Sequence, residues 1–497
     1  MMPLVLVLAS TASASDWRSK VDLSVLESTD TGQATEVLVF LSEQADLSRA
    51  ARFSTKEQKG RHVYEQLSAL ATRSQAPLIT LLEDTGRNYQ SFWIANMIWI
   101  EADPGFVRQL ASRSDVAHVY ANPSVTLRLP ETPEDAPIPL ALQAIEWNID
   151  LIGAPDFWAA GYTGEGVVIA GQDTGYEWDH PALRDQYRGW TGASVDHDYN
   201  WHDAIHSGGG SCSANSPEPC DDGNHGTHTM GTMIGDDGGA NQIGVAPGAR
   251  WIGCRNMDEG NGTPATYSEC FQFFMAPTRV DGSDPDPSRA PHAINNSWTC
   301  PPSEGCTDPN ILKTVVENTR AAGIVVVASA GNSGPGCSSV SSPPPIYEAS
   351  MTVGATDSND SIVGFSSRGG VTVDGSQRLK PNVTAPGLSV RSSLDGGRYG
   401  NRSGTSMAGP HVAGQVALLI SAVPGLAGQV ETLETCIEAT AIPITTDQDC
   451  SGIPGSQVPN NTYGHGRIEL SLPLPWECSE SYIFADDFES GTLNRWN

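Results

Sequence analysis

The sequence predicts an α/β protein built on a mostly parallel sheet with helices on both faces, preceded by a smaller α+β unit. Three observations lead there. Between about residues 145 and 470, short wholly apolar runs such as Val167-Val168-Ile169-Ala170 and Ile324-Val325-Val326-Val327-Ala328 alternate with helical stretches. Strands that are apolar without interruption are buried on both faces, which requires a helix layer on each side of the sheet. At 497 residues the chain is also longer than one hydrophobic core supports, and a proline-rich acidic stretch, Leu129 to Pro139, divides it.

Taken in order, Met1 to Ala14 combines an apolar run with Ala12-Ser13-Ala14, the small-residue pattern of a signal cleavage site, although a basic start is missing. Residues 36–128 form the first unit: a strand at Val37 to Leu41, then a helix from about Ser54 to Leu82 with Val63, Leu67 and Leu70 on one face. Pro77 is expected to kink or split that helix. Strands at Ser91 to Ile94 and Met97 to Glu101, a short helix at Phe106 to Ser112 and a strand at Val116 to Tyr120 complete a βαββαβ order, the ferredoxin-like arrangement. Residues 129–144 read as an exposed linker open to proteolysis. The large domain covers 145–470, and 471–497 is an acidic tail.

Composition excludes several functions. Only 28 Lys and Arg face 58 Asp and Glu, a formal charge of −30, which argues against nucleic acid or an anionic membrane as partner. No later run approaches the 18 or so apolar residues of a membrane span. All ten cysteines lie from Cys212 onward. In an exported chain an even count favours disulfides, with Cys212–Cys220 and Cys436–Cys450 the expected pairs. No Cys-x-x-Cys pair supports structural zinc.

Three motifs carry chemistry. Asp173-Thr174-Gly175 ends the buried strand that starts at Val167, placing a carboxylate at the carboxyl edge of the sheet, where open α/β sheets build their sites. His225-Gly226-Thr227-His228 opens a helix with small residues and presents an imidazole, the usual base near neutral pH. Ser406 lies in Gly404-Thr405-Ser406-Met407-Ala408-Gly409-Pro410, at a helix start where backbone N–H groups favour a developing anion. A serine hydroxyl is a weak nucleophile unless a base takes its proton and a carboxylate orients that base; Asp173, His225 and Ser406 supply the three parts. Read instead as metal ligands, His225 and His228 lack the glutamate of a zincin helix.

With these motifs in that chain order, residues 145–470 resemble the subtilisin-like serine proteases, near the bacillopeptidase-type secreted members. The resemblance implies a three-layer domain and a secreted, extracellular serine endopeptidase that forms an acyl-enzyme. Ala330-Gly331-Asn332-Ser333-Gly334 matches the oxyanion loop of the family, so Asn332 and the Ser406 N–H would bind the tetrahedral intermediate. Ser297, Trp298 and Thr299, with Ala330 and Gly331, match the substrate-lining segments, Trp298 being bulkier than is usual there. Residues 36–128 resemble the propeptide that inhibits such enzymes and is cut off between about Thr126 and Gln143. Protein or peptide substrates and the chain's own propeptide are the implied partners, and a monomer is expected. No cofactor is needed for the chemistry. Structural calcium stays open, the Asn241 to Pro247 stretch looking too short for the calcium loop of some members.

Two other readings have a basis in the residues. Asp84-Thr85-Gly86 and Asp173-Thr174-Gly175 together suggest an aspartic protease, although that class is all-β and bilobal. A binding protein on the same scaffold would keep the residues and lack the activity.

Overall fold

The computed structural model describes residues 17–30, 32–130 and 145–478. The expected signal segment, most of the linker and the end of the acidic tail lie outside these residues. The first unit contains helix α1 (Leu23–Asp30), strand β1 (Thr35–Leu41), helix α2 (Lys56–Asp84), strands β2 (Tyr89–Phe92) and β3 (Met97–Ala102), helix α3 (Pro104–Ala111), and strands β4 (Val116–Ala121) and β5 (Val125–Thr126). β1 to β4 make an antiparallel sheet in the order β2-β3-β1-β4, the arrangement expected of the βαββαβ order. The packed unit starts upstream of residue 36, because Val21 and Val25 enter its core and Asp22 Oδ2 accepts from Ala121 N at 3.0 Å.

Pro77 does not split α2, which runs unbroken from Lys56 to Asp84. A proline forfeits one backbone hydrogen bond. Here burial on both flanks outweighs it, with Val63 and Leu67 packed into one apolar cluster and Leu78 and Leu82 into another.

The second unit begins with α4 (Trp147–Leu151) and α5 (Ala154–Ala159), followed by β6 (Val168–Asp173), β7 (Trp201–Asp203), α6 (His225–Ile234) and β8 (Arg250–Arg255). A small hairpin, β9 (Met257–Asp258) with β10 (Asn261–Gly262), leads to α7 (Pro264–Met275), β11 (Ala293–Asn296), α8 (Lys313–Ala321) and β12 (Val325–Ser329). The chain closes with β13 (Met351–Thr356), β14 (Val383–Pro386), the hairpin β15 (Val390–Leu394) and β16 (Arg398–Arg402), α9 (Thr405–Ala422) and α10 (Val430–Thr440). Seven strands form one sheet in the order β14-β13-β12-β11-β6-β8-β7, parallel throughout. Helices cover both faces: Met230 and Met233 of α6 and Val412, Val416 and Leu419 of α9 lie in one core, and Phe271 and Phe274 of α7 with Val315 of α8 in the other. This is the three-layer α/β fold.

The two units share that second core. Leu38, Phe40, Phe92 and Met97 of the first unit pack against α7 and α8. Polar contacts fix the docking: Gln272 Oε1 accepts from Trp93 N at 2.7 Å and Ile94 N at 3.2 Å, and Asn122 Oδ1 accepts from Ala265 N at 2.9 Å in the first turn of α7.

The ten cysteines stand in five pairs at disulfide distance: Cys212–Cys220, Cys254–Cys270, Cys300–Cys306, Cys337–Cys450 and Cys436–Cys478. The expected Cys436–Cys450 pair is therefore wrong. Cys436 lies on α10, onto which the short turn Trp476–Cys478 folds back, whereas Cys450 faces the loop after β12.

Candidate active site

Asp173 closes β6 at the carboxyl edge of the sheet and is 1% exposed. His225 is the first residue of α6. What brings the two together is the glycine between them and the rest of the helix: a Cβ on Gly226 would stand 2.0 Å from Gly175 O and 3.0 Å from Asp173 Cβ. With that side chain missing, the start of α6 lies directly on the turn after β6. Asp173 Oδ1 then accepts from His225 Nδ1 at 2.7 Å and from Thr174 N at 2.8 Å. A carboxylate acceptor keeps the imidazole proton on Nδ1 and leaves Nε2 as the basic nitrogen. His225 Nε2 has no hydrogen-bond partner among the described residues.

Ser406 is the second residue of α9, after Gly404 and Thr405. Its Oγ donates to Ser297 O at 3.2 Å, and Ser297 Oγ donates back to Ser406 O at 3.1 Å. The hydroxyl is thus turned to Ser297 and not to His225, although α6 and α9 pack side by side over the same face of the sheet.

Asn332 follows β12 by three residues, across Gly331 with its left-handed φ of +99°. Its Oδ1 accepts from Thr405 N at 2.9 Å and Thr405 Oγ1 at 3.0 Å, so the amide cannot rotate freely. Its Nδ2 donates to Arg128 O at 3.2 Å. Ser297, Trp298, Thr299, Ala330 and Gly331 line one cleft of about 420 Å³ with Asn332 and Ser406, and residues 125–130 of the first unit run through it. Trp298 combines two places: it lines the cleft and is only 3% exposed, stacked on Tyr267 with ring centroids 3.8 Å apart.

Asp221 joins these elements and carried no signal in the sequence. Its Oδ1 accepts from Thr174 Oγ1 at 2.7 Å, Gly223 N at 3.0 Å and Asn224 N at 2.9 Å. Its Oδ2 accepts from Thr227 N at 2.9 Å and Thr227 Oγ1 at 2.6 Å. Burial pushes its pKa up, the opposing hydrogen bonds notwithstanding. The carboxyl therefore ties the turn after Asp173 to the helix that carries His225.

The zincin-like metal reading and the aspartic-protease reading find no support in the geometry. His228 Nε2 lies 3.1 Å from both Val390 O and Gly400 O, and burial holds its pKa well below the ordinary value, so it is a neutral donor to the β15–β16 hairpin. Asp84 is the exposed last residue of α2, and Asp173 is paired with a histidine, so no shared-proton carboxylate pair is made. In the stretch considered for calcium, Asn241 Oδ1 accepts from Arg391 Nη2 at 2.7 Å.

A buried Asp–His pair at the carboxyl edge of a three-layer parallel sheet, with a cleft-lining serine at the start of the helix packed against that of the histidine, defines a class, the serine-type endopeptidases of α/β fold. Comparison with known proteins places the chain within that class. Residues 164–466 match the Subtilase family. Bacillopeptidase F of Bacillus subtilis (strain 168) is 34% identical over 486 residues, covering 92% of this chain and 32% of that protein. The chain thus spans about a third of the length of that relative. Subtilisin E of the same organism is 30% identical over 391 residues, covering 78% of this chain and 87% of it. Subtilisin of Bacillus pumilus is 33% identical over 284 residues, covering 57% of this chain and 86% of it. The chain belongs to the Subtilase family, and its matched domain is that of a serine-type endopeptidase.

Proposed function

We propose that this protein is a secreted serine endopeptidase made as a zymogen, with Asp173, His225 and Ser406 as its catalytic triad and Asn332 as an oxyanion donor. The observation that carries this reading is the 2.7 Å hydrogen bond from His225 Nδ1 to the buried Asp173, which leaves Nε2 unpartnered. When substrate binds, the Ser406 hydroxyl turns from Ser297 O to His225 Nε2, gives up its proton there and attacks the substrate carbonyl. Asn332 Nδ2 and the Ser406 N–H take the oxyanion, and Asp173 stabilises the imidazolium. His225 then protonates the leaving amine, and water releases the acyl group by the reverse path. Protein and peptide chains are the substrates, and the enzyme acts as a monomer.

Residues up to 128 serve as the inhibitory propeptide in this reading, with the maturation cut at the linker after them. Support comes from β5, which lies antiparallel on β10, and from Leu127 N donating to Gly260 O at 2.8 Å, so the end of the unit fills the cleft as an added strand. Export is supported by the five cysteine pairs, which as disulfides need an oxidising compartment. No helix of the described residues is long and apolar enough to cross a membrane.

The test compares the intact chain with Ser406→Ala for casein hydrolysis, with and without a serine-directed fluorophosphonate. Activity that the reagent abolishes and the alanine variant lacks is expected. Equal activity in both forms, or inhibition by pepstatin and not by the fluorophosphonate, would overturn the assignment.

A further inference from the structure

Among the described residues that line the cleft, Glu304 is the only charged side chain contributed by the second unit. It ends the short turn Pro302–Glu304, inside the loop between Cys300 and Cys306. Its two carboxylate oxygens grip the strand in the cleft at two points. Oε2 accepts from the backbone N of Thr126 at 3.0 Å, and Oε1 accepts from Arg128 Nε at 3.0 Å with Nη2 at 2.7 Å. The loop fits the incoming chain closely, since a Cβ on Gly305 would stand 2.7 Å from Pro123 Cβ.

The same Arg128 offers its carbonyl oxygen to Asn332 Nδ2. Past Arg128 the chain continues to Pro130, whose Cδ would lie 3.5 Å from a Cβ on Gly404, two residues before Ser406. The register is fixed upstream, with Thr126 opposite Asn261 and Leu127 N bonded to Gly260 O. One residue therefore meets the amide of Asn332 through its backbone and Glu304 through its side chain.

We infer that Glu304 is a specificity-determining residue that selects arginine or lysine at the position whose carbonyl is attacked, and that Arg128–Leu129 is the bond cut in maturation. This inference rests on the serine endopeptidase reading above. Hydrolysis breaks the bond between Arg128 C and Leu129 N. The amine receives the Ser406 proton by way of His225, and water supplies the second carboxylate oxygen of Arg128 and restores the proton to Ser406. A guanidinium–carboxylate contact is directional and needs the basic residue to reach the loop, so an apolar residue at this position leaves Glu304 Oε1 without its partner while Oε2 keeps the Thr126 N–H. The sequence makes the site of cutting a sharp test, because Arg128 is the only lysine or arginine between Arg113 and Arg184.

The experiment uses the matured enzyme and two fluorogenic peptides that differ only in arginine or leucine before the scissile bond. The N-terminus of the mature chain is sequenced in parallel. The expected N-terminus is Leu129. The expected arginine-to-leucine ratio of kcat/KM favours arginine, falls about tenfold in Glu304→Gln and falls further in Glu304→Lys. The ratio also declines with added salt, as a charge pair with an exposed guanidinium requires. Leucine cut as well as arginine, with the ratio unmoved in both variants, would overturn the inference and leave the endopeptidase reading standing. Failure to cut either peptide, in a folded chain inert to the fluorophosphonate, would overturn both.

Discussion

Asn332 and Asp221 show two ways in which one side chain can hold this site together. The amide of Asn332 is clamped by Thr405 through Oδ1, so its Nδ2 is preset for a carbonyl oxygen in the cleft. Asn332→Ala is expected to lower kcat by roughly a hundred- to a thousandfold with little change in KM, the loss seen when such a donor is removed from a subtilisin. Steady-state kinetics on one peptide checks it. Asp221 gathers five hydrogen bonds from the two segments that carry Asp173 and His225. Asp221→Ala strands those donors, at about 1–3 kcal/mol for each one left buried and unpaired. Thermal unfolding should show a lower midpoint, and turnover should drop without loss of fluorophosphonate labelling in the folded fraction. Asp173, His225, Ser406 and Asn332 were legible in the sequence because small residues surround them in long motifs. Asp221 and Glu304 were not, since neither stands in a pattern: Asp221 ties its own neighbours to Thr174, 47 residues back, and Glu304 meets groups more than 170 residues away.

At the scale of elements, β1 explains why a strand of an antiparallel sheet reads as a continuous apolar run. Val37, Val39 and Leu41 enter the core of the first unit, and Leu38 and Phe40 enter the core shared with α7 and α8. Alternation is hidden when both faces are buried. Beside that contact lies a titratable cluster: Glu269 of α7 accepts from His202 at 2.7 Å, from His206 at 2.9 Å and from Gln90 of β2 at 2.6 Å. The hydrogen bond to Glu269 raises the His206 pKa to about 9, against the burial that opposes it. Burial would raise the Glu269 pKa, but the two histidines outweigh it and bring it to about 2. The His206 contribution to stability is therefore full below the ordinary histidine value of about 6.5 and is lost as pH rises through about 9. That of Glu269 is present above the ordinary carboxyl value of about 4.3 and is lost as pH falls through about 2. His206→Gln, made in the Ser406→Ala chain to prevent autolysis, should lower the melting temperature at neutral pH and leave it unchanged well above the raised value.

For the whole molecule, Cys337–Cys450 closes the longest loop of the five pairs, 113 residues, joining the segment after β12 to the one after α10. Replacing both cysteines by serine in the Ser406→Ala chain is expected to reduce stability by roughly 2–5 kcal/mol, read from urea unfolding. By itself the sequence determined the layered α/β class and the order of elements in the unit before it, and it pointed to the four residues proposed for catalysis. Each of these rests on local spacing, either apolar periodicity or small residues crowded around one functional side chain. Only the tertiary structure decided which cysteines pair, that α2 survives Pro77, that the packed first unit reaches back past Val25, and that the segment from Val125 to Pro130 lies in the cleft beside Asn332. Those outcomes depend on which surfaces meet after the chain has turned back on itself. Glu304 and Arg128 are 176 residues apart, and at that separation contact is set by packing between the two units and leaves no pattern in the order of residues.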